Sequence, residues 1–118
     1  MANFSVSSVR INGIFSCLPQ RKHENSTNPL LENSAAFVAH TGIKYTYEAN
    51  EDHQLLAYFL KAAQTGLDAL QWSASDLNLI VCVSQTPDQA IPSCANQLHA
   101  ALKGADHCMC FDINQGCS

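Results

Sequence analysis

Leu77-Asn78-Leu79-Ile80-Val81-Cys82-Val83 is short, apolar almost throughout and β-branched. A strand with one wet face alternates polar and apolar residues, whereas a nearly continuous apolar run suits a strand covered on both faces, as in a parallel sheet. Residues 84–92 follow as a turn-rich loop with two prolines. Pro92 suits the first turn of a helix, and the pattern predicts that helix through Gln97, Leu98, Ala101 and Leu102 to a stop at Gly104. A further strand, 108–113, then leads through Asn114-Gln115-Gly116 to Cys117 and Ser118.

Working upstream, Leu55, Leu56, Phe59, Leu60, Ala63, Leu67 and Leu70 share one broad helical face. Asn50 is the expected N-cap of that helix, with Glu51 and Asp52 in the dipole-favoured first turn and His53 solvated beside them. Residues 4–18 are rich in Val, Ile and Phe and close at Pro19, which predicts a first strand, with Gly13 at a bulge or a close backbone approach. The polar stretch 20–33 reads as a loop. A short helix from Ser34 should end at Thr41-Gly42-Ile43, where glycine permits a sharp change of direction, before a short strand over 44–48.

Strand, helix, strand, helix, strand predicts an α/β fold: a mainly parallel core sheet flanked by helices, with right-handed crossovers. The 118 residues suit a single domain. A net charge of −4 and the lack of a Lys/Arg cluster argue against nucleic acid, because phosphate binding needs concentrated positive charge. The N-terminal residues lack the basic lead and apolar run of a signal peptide, and no stretch approaches a membrane span, so a soluble cytoplasmic protein with reduced thiols is expected.

The six cysteines then need other roles. His107, Cys108 and Cys110 are close in sequence with Cys117 beyond them, but structural zinc sites usually add a second spaced cysteine pair, so no metal site is expected. Cys82, Cys108 and Cys110 read instead as filling strand faces. Residues 112–118 are different: an apolar strand, a tight turn and then a thiol is a way to hold a nucleophile still. A helix beginning at Cys117 would favour thiolate over thiol and would offer N–H groups to an oxyanion. The other reading of Cys117, one more buried cysteine, stays open on these residues alone.

Several motifs recur in the order of a known family. Ile11-Asn12-Gly13 through Leu18-Pro19, Thr41-Gly42-Ile43, Leu79-Ile80-Val81 through Thr86-Pro87, Pro92-Ser93, and Phe111-Asp112-Ile113-Asn114 with Gly116-Cys117-Ser118 resemble the thiolase-like condensing enzymes, and within them β-ketoacyl-acyl-carrier-protein synthase III. The resemblance implies a thiolase-like layered fold, of which this chain would be the N-terminal part of one half. It implies that Cys117 is the catalytic nucleophile of a decarboxylating Claisen condensation in fatty-acid or related acyl-chain biosynthesis. Its thiolate would take the acyl group from a thioester, with its own N–H in the oxyanion hole. Ile91 would reach across a homodimer interface to wall the partner's acyl pocket, or else serve ordinary interface or core packing, and His40 and Thr41 would be substrate-binding. No bound cofactor is implied; the substrates are acyl thioesters of coenzyme A or acyl carrier protein.

The chain also departs from the pattern. The family usually has a tryptophan six residues before the glycine of Thr-Gly-Ile and an arginine two before it, which sandwich adenine; here Ala36 and His40 stand there, so weak acyl-coenzyme A binding is expected. The family's catalytic His and Asn come from the second half of the fold, and none of His23, His40, His53, His99 or His107 matches that histidine. The chain alone is therefore expected to be poorly folded and inactive, with a second polypeptide supplying the rest. An acyltransferase acting on oxygen or nitrogen, or a non-catalytic partner subunit, are the alternative functions.

Overall fold

The computed structural model describes residues 5, 7–49 and 54–115. Four strands and three helices follow one another: β1 (Arg21–Glu24), α1 (Ser34–Thr41), β2 (Tyr45–Glu48), α2 (Leu55–Leu70), β3 (Leu79–Val83), α3 (Cys94–Leu102) and β4 (Met109–Ile113). Single 3₁₀ turns at Asn25–Thr27 and Ala74–Asp76 lead into α1 and β3. β3 and β4 pair in parallel, Leu79 opposite Met109 and Val83 opposite Ile113, with α3 as the crossover. This is the predicted helix-flanked parallel unit, and no helix among the described residues is long and apolar enough to cross a membrane.

The core lies between this pair and the helices. Ile80 and Cys82 of β3 meet Cys94, Ala95 and Leu98 of α3, and Leu56, Phe59, Leu60 and Ala63 of α2 pack against them. Burial at every second residue of β3 corrects the expectation of two covered faces. Leu79, Val81 and Val83, with Met109, Phe111 and Ile113 of β4, form an exposed apolar face on the side away from the helices. The apolar run is what a doubly covered strand requires, yet the described part of this chain covers one side of it.

Two further expectations change. Residues 7–18 pair with no strand among the described residues, because a strand exists through its ladder and these residues find no partner there. Gly13 is nevertheless a close approach: a Cβ there would fall 2.5 Å from the Phe15 ring, and one on Gly66 of α2 would fall 2.7 Å from it. The polar stretch expected to be a loop contains β1, antiparallel to β2 with Arg21 opposite Glu48. Arg21-Lys22-His23-Glu24 shows no apolar alternation, so its pairing rests on cross-strand contacts instead. His23 Nε2 meets Glu48 Oε2 at 2.8 Å, and Lys22 Nζ sits 3.5 Å over the Tyr45 ring.

α1 begins as predicted. Asn33 caps it by accepting from the Ala36 N–H at 3.0 Å, and Gly42 ends it with φ of 70°. The start of α2 does not follow its local cap: Asn50, Glu51, Asp52 and His53 lie outside the described residues, and Gln54 offers no side-chain cap. Its first two N–H groups, of Leu55 and Leu56, instead donate to the Asp88 carboxylate at 2.9 and 3.1 Å. For α3, Ser93 is the N-cap and Pro92 stands just before it, outside the helix in which it was expected.

Candidate active site

In a parallel sheet with helical crossovers, reacting groups collect beyond the carboxyl ends of the strands. Here those ends are Val83 and Ile113, held together one step further by the Ser84 N–H donating to Ile113 O at 3.1 Å. β4 is also tied to α3. The Asp112 carboxylate accepts from the Cys94 N–H at 2.7 Å and the Ala95 N–H at 2.8 Å, the first two donors of that helix. Those N–H groups have no partner inside their own helix and sit at its positive end, so a half-buried carboxylate is well matched to them. With both oxygens engaged, Asp112 serves as a fastener that fixes where β4 ends.

Cys117, the nucleophile expected two residues past Gln115, lies outside the described residues. The other cysteines at this end are chemically quiet. The Cys82 thiol is pushed up to about 12, chiefly by burial and then by its neighbours Cys94, Asp112 and Cys110. Cys94 is also raised, mainly by burial, against a hydrogen bond with Cys82 that pulls the other way. A thiol that stays protonated near neutrality is a poor nucleophile. These two are core side chains, as read for Cys82 from the strand pattern.

The remaining predicted site residues separate into two places. Ile91 precedes α3 and is 88% exposed, so it does not pack in the core of its own chain. His40 and Thr41 end α1, which packs mainly on the 25–27 turn rather than on the β3–β4 pair. His40 is exposed in the last turn, and Ala36 and Phe37 are half-buried. The Thr41 hydroxyl donates to Phe37 O at 2.7 Å and accepts from the Ile43 N–H at 3.1 Å, so it closes the helix end. Sequence reasoning did not find Asp88 or Asp112 as helix fasteners. The signal available was an aspartate at each strand exit, but its partner is a helix start 33 residues away for Asp88 and 18 for Asp112.

An open groove lies elsewhere. It holds about 460 Å³ between residues 11–15 and the C-terminal half of α2, with Phe15, Gly66 and Trp72 on its walls. Leu77, just before β3, also lines it, which places it at the opposite end of the sheet from Ile113.

Comparison with known proteins bears on this geometry. The chain is 32% identical over 108 residues to β-ketoacyl-acyl-carrier-protein synthase III of Rhizorhabdus wittichii, covering 90% of the chain and 34% of the relative. It is 34% identical over 110 residues to the synthase III of Bartonella tribocorum, covering 92% and 34%. The crystal structure of a 3-oxoacyl-acyl-carrier-protein synthase from Burkholderia xenovorans superposes with a TM-score of 0.73 at 28% identity, over 87% of this chain and 30% of that one. No family model matches. The chain spans about a third of the length of the curated relatives it matches.

Proposed function

From the premise that this chain resembles β-ketoacyl-acyl-carrier-protein synthase III and carries the N-terminal part of its thiolase-like fold, we propose that it supplies the nucleophile of a condensing enzyme. The observation that carries this reading is β4. It pairs in parallel with β3, is fastened to the start of α3 through Asp112, and precedes Gly116-Cys117-Ser118 in the sequence. In the reaction, the Cys117 thiolate attacks the carbonyl of an acyl thioester and expels the carrier thiol. A malonyl-carrier thioester loses carbon dioxide, and the carbanion so formed attacks the acyl-cysteine, releasing the thiolate and a 3-oxoacyl-carrier product.

The remaining machinery is proposed to come from further polypeptide that completes the fold. Two features support this: the apolar face of β3 and β4 is open, and the matched relatives are about three times the length of the matched region. Ile91, exposed beside α3, is assigned to a homodimer contact at the acyl pocket. His40 and Thr41 are assigned to the approach of the acyl donor, with acyl carrier protein as the partner. Residues 1–118 form the N-terminal segment of this unit, in the cytoplasm.

The test is mass spectrometry of the assembled protein after incubation with acyl donors. An acyl adduct on Cys117, absent in Cys117→Ser, with carbon dioxide released from malonyl carrier, is the expected result. No adduct on Cys117 would overturn the catalytic reading in favour of a non-catalytic subunit. An adduct without carbon dioxide release would point to acyl transfer onto oxygen or nitrogen.

A further inference from the structure

His99, Cys108 and Cys110 come together at the opposite end of β4 from Ile113. One ligand atom from each lies within 4.8 Å of the other two, and all three residues are half-buried. We propose that these three side chains bind a thiophilic d¹⁰ metal ion, zinc(II), which fastens the end of α3 to the start of β4. Such a site departs from the expectation that cysteines 108 and 110 fill a strand face with no metal site, while keeping their packing against the core. His107, adjacent in sequence, is exposed and outside the group, and His99 takes its place through the fold.

The local backbone explains the juxtaposition. α3 stops at Lys103, in the left-handed conformation with φ of 58°, and the Gly104 N–H donates back to His99 O at 3.0 Å. The chain turns again where the Cys108 N–H donates to Ala105 O at 2.9 Å, and β4 starts one residue later. The last turn of the helix thus faces the first residues of the strand. Cys108 and Cys110 are two apart, so in extended chain they share a face, and both pack toward the helix side of the sheet.

Two further observations single out His99. Its Nε2 lies 3.0 Å from Ala105 O, a carbonyl that can accept only, so Nε2 carries the proton and Nδ1 keeps its lone pair. A metal-ligating histidine commonly donates its other ring N–H to a carbonyl in this way, which fixes both tautomer and ring orientation. The ring also fills the space beside Gly104, where a Cβ would fall 2.4 Å from its Cδ2. Glycine at 104 leaves room for the imidazole to stand in this orientation.

The donor set selects the ion. Two thiols and one imidazole suit zinc far better than magnesium or calcium, which take oxygen ligands. Zinc–sulfur and zinc–nitrogen bonds of ~2.3 and ~2.0 Å imply tetrahedral edges of about 3.5–3.8 Å, so the three side chains need to close by at most about 1.3 Å. Both thiols bind as thiolates, and their two protons pass to solvent. The charges of zinc(II) and two thiolates cancel, which suits a half-buried position, and water can take the fourth vertex.

Cobalt(II) titration of the reduced, assembled protein tests the site. One equivalent should produce the near-ultraviolet thiolate-to-cobalt charge-transfer absorption and the visible bands of tetrahedral cobalt, and zinc should displace it. Cys108→Ser and Cys110→Ser should each abolish the thiolate bands seen in the parent. His99→Gln should weaken cobalt affinity by at least about tenfold, the scale on which metal-site perturbations act. Cys117→Ser should leave the spectrum unchanged. Absence of the charge-transfer band in the parent chain would overturn the proposal, as would its persistence in Cys108→Ser or its loss in Cys117→Ser. Far-ultraviolet circular dichroism of each variant separates loss of the site from loss of the fold.

Discussion

Two regions of this molecule are held together by different means. The β3–α3–β4 unit with α2 contains every buried hydrophobic side chain among the described residues: Ile80, Cys82, Cys94, Ala95 and Leu98. The β1–α1–β2 region has none of these, and its buried residue is Asn25, 1% exposed. Asn25 Nδ2 donates to Ile43 O at 3.0 Å, its Oδ1 accepts from Thr46 Oγ1 at 3.1 Å, and its N–H donates to Lys44 O at 2.9 Å. Apolar burial is non-directional and cumulative, whereas an amide in this position fixes one geometry and costs heavily if a partner is lost. The first region therefore builds the platform for β4. The second orients a peripheral ribbon and the end of α1.

The largest test of this contrast is Leu98→Ala, which removes a buried side chain from the first region. It should cost about 2–5 kcal/mol by chemical denaturation and should lower hydrogen-exchange protection throughout β3, α3 and β4. An effect confined to α3 would mean that the apolar cluster is not one cooperative unit. Asn25→Ala should cost less, about 1–3 kcal/mol, with lost protection at Asn25 and along β1 and β2 but not in β3 and β4. Equal loss in both regions would erase the distinction drawn here.

Alkaline pH should act on the first region through Cys82. The folded Cys82 thiol is raised from 9.0 to about 12, so between these values the unfolded chain has given up a proton that the folded one retains. Stability is thus fully present below pH 9 and falls as pH rises toward 12. One such thiol gives a slope of at most about 1.4 kcal/mol per pH unit. Denaturation midpoints measured at pH 8, 9 and 10 should decline slightly over the first interval and more steeply over the second, and the decline should be smaller in Cys82→Ala. The smallest effect is expected from Glu48→Ala in the ribbon. Its contacts with Arg21 and His23 are exposed, and their loss should cost under about 1 kcal/mol and diminish with salt.

Where a local pattern carries its own physics, the residues were legible without coordinates. The apolar run at 79–83, the helical face from Leu55 to Leu70 and the Gly42 stop follow from side-chain periodicity and backbone preference within a few residues. The motif order leading to Cys117 was legible too, and it pointed to the fold shared with the superposed synthase. β1 was not, because four charged or polar residues become a strand only when Tyr45–Glu48 lies alongside. The carboxylates that take the first N–H groups of α2 and α3 were not, because Asp88 and Asp112 are remote in sequence and adjacent to those helices only in the folded chain.

The same division applies to function. The sequence by itself determined that an apolar strand is followed closely by a cysteine at 117, since that order is contiguous in the chain, and the proposed nucleophile rests on it. Tertiary structure alone decided that His99 rather than His107 stands with Cys108 and Cys110, since a ligand set is defined by distance in space and the turn after α3 reverses the chain. It also decided which thiols are inert, because burial and neighbouring charge, not residue type, set the protonation of Cys82 and Cys94.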